Sequence, residues 1–175
     1  TGNFGNVFAG YVAAQMGLPI ERLIVASNQN DILTRFFESG TMQREAVAPS
    51  YSPSMDIQVS SNFERLLFEL LGRDGNAVNA AMAKFAKTGS FDVDASVLEK
   101  AHNMFAGYRL DDAATIAEIR QSATTDDMVL DPHSAVGVGA ARMALADGTI
   151  PAGVPVISLA CAHPAKFQDA VASAT

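Results

Sequence analysis

Cysteine occurs once, at Cys161, so no disulfide can form within the chain. A reducing cytosol is the expected compartment. Clustered positive charge is missing as well. The formal net charge is −7, with no local run of Lys and Arg to offset it, which argues against nucleic acid as a partner. Apolar runs are short. The longest, from Val154 to Ala162, is interrupted by Pro155 and Ser158. It falls well below the ~18 residues that a membrane span requires, so a membrane is not an expected partner. Thr1-Gly2-Asn3 lacks the basic start and following apolar stretch of a secretory signal peptide. Without an initiating Met, Thr1 reads as a boundary left by processing or truncation. No internal repeat, low-complexity stretch or linker interrupts the sequence.

What is present is a globular composition. Apolar residues make up 49% of the chain and charged residues 18%, enough to bury a sizeable core. Val7, Phe8, Tyr11, Val12 and Met16 recur at helical spacing, and Gly17-Leu18-Pro19 stops that helix. The branched run Arg22-Leu23-Ile24-Val25-Ala26 then reads as a buried strand. Further helices are expected over 32–38 behind an Asn30-Asp31 cap, over 63–71 behind Asn62, and over 76–87 and 94–102. Others are expected over 111–122 behind Asp111 or Asp112, over 134–147, and over 164–174 with Pro164 in the first turn. Residues 48–56, rich in Pro and Ser, read as a loop. Residues 128–130 and 154–160 are the second and third strand candidates. A glycine loop, helix, stop and strand in succession is the grammar of a parallel α/β unit. The expected fold is therefore α/β, helix-rich, with a mostly parallel sheet of short strands. Three strands make that sheet thin, as if incomplete.

Three segments carry chemistry. Thr1-Gly2-Asn3-Phe4-Gly5-Asn6 leads directly into the first helix. Its glycines permit positive φ and close backbone approach, and the first N–H groups of the helix lack internal partners. With the helix dipole, such a turn cradles a phosphate dianion. The plainer reading is a helix entry with Asn6 as cap. No Walker loop or Rossmann fingerprint fits, because no Lys-Ser/Thr pair follows Gly5 and no third glycine stands in register. In Ser158-Leu159-Ala160-Cys161-Ala162-His163-Pro164, a strand ends in front of a helix, so Cys161 faces the place where open α/β sheets bind ligands. Equally, Cys161 reads as a small core residue. In Asp131-Pro132-His133-Ser134, Asp131 or Ser134 caps the next helix, and His133 is either a site residue or a polar turn residue. The spacing of Asp131, His133, Cys161 and His163 matches no zinc pattern, and nothing in it compels a Cys161 nucleophile with a histidine base.

In this order, four motifs resemble threonine synthase, an enzyme of the tryptophan-synthase-β-like class that uses pyridoxal 5'-phosphate (PLP). They are Gly2-Asn3-Phe4-Gly5-Asn6, Ser54-Met55-Asp56-Ile57 with Ser60-Ser61-Asn62-Phe63-Glu64-Arg65-Leu66, Asp131-Pro132-His133-Ser134-Ala135-Val136-Gly137, and Ala162-His163-Pro164-Ala165-Lys166-Phe167. The resemblance implies a lyase that converts O-phospho-L-homoserine and water to L-threonine and phosphate. It implies that Gly2, Asn3, Phe4, Gly5 and Asn6 hold the cofactor phosphate, and that Cys161 meets the pyridine nitrogen where the family has Ser or Thr. It implies no metal. It also implies that residues 1–175 are the C-terminal part of the PLP-binding catalytic domain, with a helical segment at about 60–125. The family's cofactor-linking lysine lies upstream, in an N-terminal half absent here. Lys84, Lys87, Lys100 and Lys166 do not match it, so no catalytic residue is assigned and the chain alone is expected to be inactive. The absent half is the expected partner, and without it exposed apolar surface should drive self-association. Two alternatives stand beside this reading: a dehydratase or sulfhydrylase of the same cofactor class, and a non-catalytic phosphate-binding module.

Overall fold

The computed structural model describes residues 3–160 and 162–175. Helix α1 (Gly5–Gln15) enters strand β1 (Leu23–Ser27), which leads to α2 (Ile32–Ser39) and the short strand β2 (Thr41–Gln43). A loop containing one 3-10 turn, Pro53–Met55, precedes α3 (Phe63–Leu70) and α4 (Gly75–Thr88). Strand β3 (Ser90–Asp92), α5 (Ala95–His102) and β4 (Phe105–Arg109) follow. The chain closes with α6 (Asp112–Thr125), α7 (Pro132–Ala146), a 3-10 turn at Pro164–Lys166 and α8 (Gln168–Ala174). Side-chain caps explain several starts. Asp74 accepts from Asn76 N–H, Asp111 from Ala114 N–H, and Asp131 from His133 N–H.

β1 and β4 pair in parallel, from Leu23 opposite Phe105 to Ser27 opposite Arg109. β2 and β3 form a separate antiparallel pair. Period-two alternation sends β1 side chains to two cores. Leu23 and Val25 join a large cluster with Phe4, Phe36, Phe37, Phe63, Phe91 and Phe105. Ile24 and Ala26 join Met55, Leu110, Val136 and Ala140 on the opposite face. A third cluster, around Ile119, Leu130, Ala135, Ala170 and Ala174, binds α6, α7 and α8 together. Helices thus cover both faces of the parallel pair, as buried parallel strands require. No helix among the described residues is long and apolar enough to cross a membrane.

The α/β class and most of the helices agree with the sequence pattern, although the helix expected over 164–174 is a 3-10 turn at Pro164–Lys166 followed by α8; the strands differ. Residues 128–130 form no strand. Met128 N–H bonds back to Ser122 O, Leu130 alone turns into a core, and Met128 and Val129 stay exposed. Residues 154–160 have no strand ladder among the described residues. Val156, Ile157 and Leu159 are exposed, Ile157 at 84%. The parallel partner of β1 is instead Phe105–Arg109, a segment without a strong strand signature.

At Gly107 the backbone of α2 comes very close to β4. A Cβ there would stand 2.8 Å from Thr34 Cα. Gly107→Ala should therefore destabilise the chain by about 1–3 kcal/mol in urea melts. Gly75→Ala, with open space around it, should be neutral or slightly stabilising. Equal effects at the two positions would contradict this packing.

Candidate functional site

Phe4 occupies the N-cap position of α1 with φ 64° and ψ −3°, a left-handed conformation. Bulky residues avoid this region. Its ring is fully buried, 5.4 Å from Phe63, 6.0 Å from Phe105 and 6.4 Å from Phe37 between centroids. Asn6, expected as cap, is instead the second residue of the helix. The first helical bond runs from Phe8 N–H to Phe4 O. The N–H groups of Gly5 and Val7 consequently find no acceptor among the described residues. The first turn of α1 carries no acidic side chain, so nothing there opposes the positive end of the helix dipole. A Cβ at Gly5 would meet only Asn62 Nδ2, at 3.8 Å. This donor set suits a phosphate dianion. Asn3, Phe4, Gly5 and Asn6 are thus brought together at one helix start. Gly2 lies outside the described residues.

The turn is fastened to the segment before α3. Ser61 N–H donates to Asn3 Oδ1 at 2.9 Å, Ser61 Oγ lies 3.3 Å from the same oxygen, and Asn62 Nδ2 donates to Asn3 O at 2.7 Å. Asn62, read from the sequence as a helix cap, holds that position without capping α3. The sequence reading gave it no such link, because a tertiary contact across 59 residues leaves no local signature.

At the carboxyl end of β1, Asn28 and Asn30 clasp the 48–56 loop. Buried Asn28 donates to Ser50 Oγ (2.7 Å), Ser52 Oγ (3.0 Å) and Asp56 Oδ1 (2.7 Å). Asn30 Nδ2 reaches Ala48 O and Asp56 Oδ1, and its Oδ1 accepts from Ala48 N–H. The loop is thereby drawn over the strand end where open α/β sheets bind ligands. Beside it, Ser50, Tyr51, Pro53, Lys166, Phe167 and Asp169 border a cleft of about 460 Å³.

His133 joins three of the motifs. Its Nδ1–H donates to Asp131 Oδ1 at 3.0 Å, and its Nε2 accepts from Ser54 N–H at 3.2 Å. Its ring meets Phe167 edge-on at 4.7 Å. Both ring nitrogens are engaged, which fits a neutral imidazole with its proton on Nδ1. Asp131 is almost fully buried and also accepts from Ser134 Oγ and the backbone N–H groups of His133 and Ser134. Burial pushes its carboxyl upward, but those hydrogen bonds together outweigh burial and hold it below the usual carboxylate range. His163 Nδ1 caps the turn at Pro164 by accepting from Ala165 N–H. Cys161 lies outside the described residues. Among those described, no three His, Cys, Asp or Glu side chains converge as a metal site. Lys84, Lys87, Lys100 and Lys166 are all exposed.

Comparison with known proteins places this architecture. In structure, the chain aligns with the PLP-bound threonine synthase of Brucella melitensis at a TM-score of 0.94 and 49% identity, covering 99% of this chain and 36% of that one. The crystal structure of yeast threonine synthase aligns at 0.93 and 42% identity, again over 99% of this chain and 37% of that one. The fold is thus that of the C-terminal part of a PLP enzyme. In sequence, the chain is 45% identical to the threonine synthase of Pseudomonas aeruginosa over 99% of its own length and 36% of that relative's. Residues 134–175 match the family model "Threonine synthase, C-terminal". The chain therefore matches the C-terminal portion of the threonine synthase family, as its motifs implied, and spans about 36% of the length of these relatives.

Asp131→Ala removes a cap and strands the donors of His133 and Ser134. At pH 7 it should cost about 2–4 kcal/mol in denaturant melts. The native carboxyl is held below its unfolded value, so its contribution is complete above ~pH 4 and is lost as pH falls through the lower native value. The deficit of the variant should shrink in that acidic window. A deficit independent of pH would contradict the assignment.

Proposed function

We propose that this chain provides the cofactor-phosphate loop and the ring-nitrogen contact of a threonine synthase, which converts O-phospho-L-homoserine and water to L-threonine and phosphate. The observation that carries this reading is the match of nearly the whole chain to PLP-bound threonine synthase; the N-terminus of α1, without an acidic side chain in its first turn, falls in the segment that resembles the family's phosphate loop. In this reading, backbone N–H groups of Gly2, Asn3, Phe4, Gly5 and Asn6 bind the cofactor phosphate. Cys161 contacts the pyridine nitrogen. PLP, when bound, supplies the electron sink for the lyase chemistry. A thiol is a weak hydrogen-bond donor, so Cys161 orients the ring loosely and places no negative charge against its nitrogen.

The cofactor-linking lysine belongs, on this reading, to the part of the relatives that this chain does not span, which is the chain's partner. None of the lysines here is buried in a site, so the chain alone should not turn over. The same part would cover the apolar surface of residues 154–160, together with Val12, Met16 and Leu18 on and after α1. Left uncovered, that surface favours self-association and counts against a self-contained phosphate-binding module. The cytosol remains the compartment this reading implies.

Titration of the purified chain with PLP, followed by calorimetry and absorbance, tests the proposal. The expected result is saturable binding without the spectral change of covalent attachment to a lysine. Phosphate release from O-phosphohomoserine should not exceed a cofactor-only control. Covalent attachment at one lysine, with turnover, would contradict the assignment of the lysine to another part of the enzyme. Absence of binding would contradict the phosphate cradle.

A further inference from the structure

The geometry points to Asn62, aided by Ser61, as a positioning residue that holds the phosphate loop in its binding conformation before any cofactor arrives. The inference rests on the reading of that loop given under Proposed function. Asparagine at an N-cap position ordinarily turns its side-chain oxygen onto the first free N–H groups of its own helix, and losing such a cap costs about 1 kcal/mol. Asn62 stands at that position and makes no such bond. Its amide is turned outward and donates to Asn3 O at 2.7 Å, while Ser61 N–H holds Asn3 Oδ1 at 2.9 Å. The side-chain oxygen and the backbone carbonyl of Asn3 are thereby both held from one short segment. The next residue on each side completes the grip. Phe63, following Asn62, packs edge-on against Phe4, following Asn3.

The consequence falls on the backbone between Asn3 and Val7. Phe4 must remain at φ 64° for the N–H groups of Gly5 and Val7 to point away from the helix rather than into a continuing chain. That conformation is costly for a bulky residue. The buried ring restrains it from one side, and the fixed carbonyl of Asn3 restrains the peptide leading into it from the other. A phosphate meeting amides already aimed at it loses less ordering entropy on binding. Asn62 in this account does not touch the cofactor; it acts through Asn3.

Asn62→Ser separates positioning from mere stability. Serine caps a helix about as well as asparagine, is neutral, and is too short to reach Asn3 O as Asn62 does. The melting temperature should stay unchanged or rise. Affinity for PLP and for inorganic phosphate, measured by calorimetry, should each fall about tenfold, by the same factor because the loss lies at the shared phosphate. In the unliganded chain, amide exchange at Phe8, whose N–H bonds to Phe4 O, should accelerate. Wild-type affinity for both ligands in Asn62→Ser would overturn the proposal, as would affinity that falls only in step with the melting temperature. If the wild-type chain binds neither PLP nor phosphate, the cofactor reading of the loop fails. The clamp is then decided by exchange alone: faster exchange at Phe8 upholds it, and unchanged exchange overturns it.

Discussion

The ring of Phe4 lies inside the aromatic core while its backbone sits in the left-handed region. The two facts depend on each other. A bulky residue at positive φ costs on the order of 1–3 kcal/mol. Burial of a phenylalanine side chain returns roughly 1.5–3 kcal/mol, and each favourable ring pair adds about 0.5–1.5 kcal/mol. With Phe37, Phe63 and Phe105 around it, burial wins. The position of α1 against β1 and α3, and the aim of its first N–H groups, follow from that inserted ring together with the tether of Asn3 to Ser61 and Asn62. Removing the ring would release the turn as well as open a cavity.

The helices were legible because their signals are local: apolar spacing, Asp caps at Asp111 and Asp131, and glycine stops. Strand pairing was less legible. Phe105-Ala106-Gly107-Tyr108-Arg109 has two small residues at its centre, yet it pairs with β1 across some eighty residues of chain. Only the tertiary neighbour makes it a strand. Residues 154–160 show the converse, with the composition of a buried strand and no ladder among the described residues. At the site, the Asn3–Asn6 turn was visible as a motif, but the reason for its shape was not. Asn6 and Asn62 both read as caps from their neighbours. Phe4 occupies the cap position of α1, and Asn62 turns its amide to Asn3. Asp31, likewise read as a cap, spends its carboxylate on Arg35 and Arg109. Side chains diverted to tertiary partners leave no trace in the local pattern.

The motifs that resemble threonine synthase also turn out to be mutually bonded. Ser54 meets His133, His133 meets Phe167, and Asn3 meets Ser61 and Asn62. They form the contacts by which the loops at one strand end hold one another. The apolar stretch at 154–160 contrasts with this network, because Val156, Ile157 and Leu159 are exposed.

Residue-resolved amide shifts during titration of the chain with PLP test the central claim most directly. The account predicts that the Gly5 and Val7 amide signals move first and furthest, with α4 and α5 unaffected. Shifts that centre on Lys166 and its cleft, with Gly5 and Val7 unmoved, would contradict it.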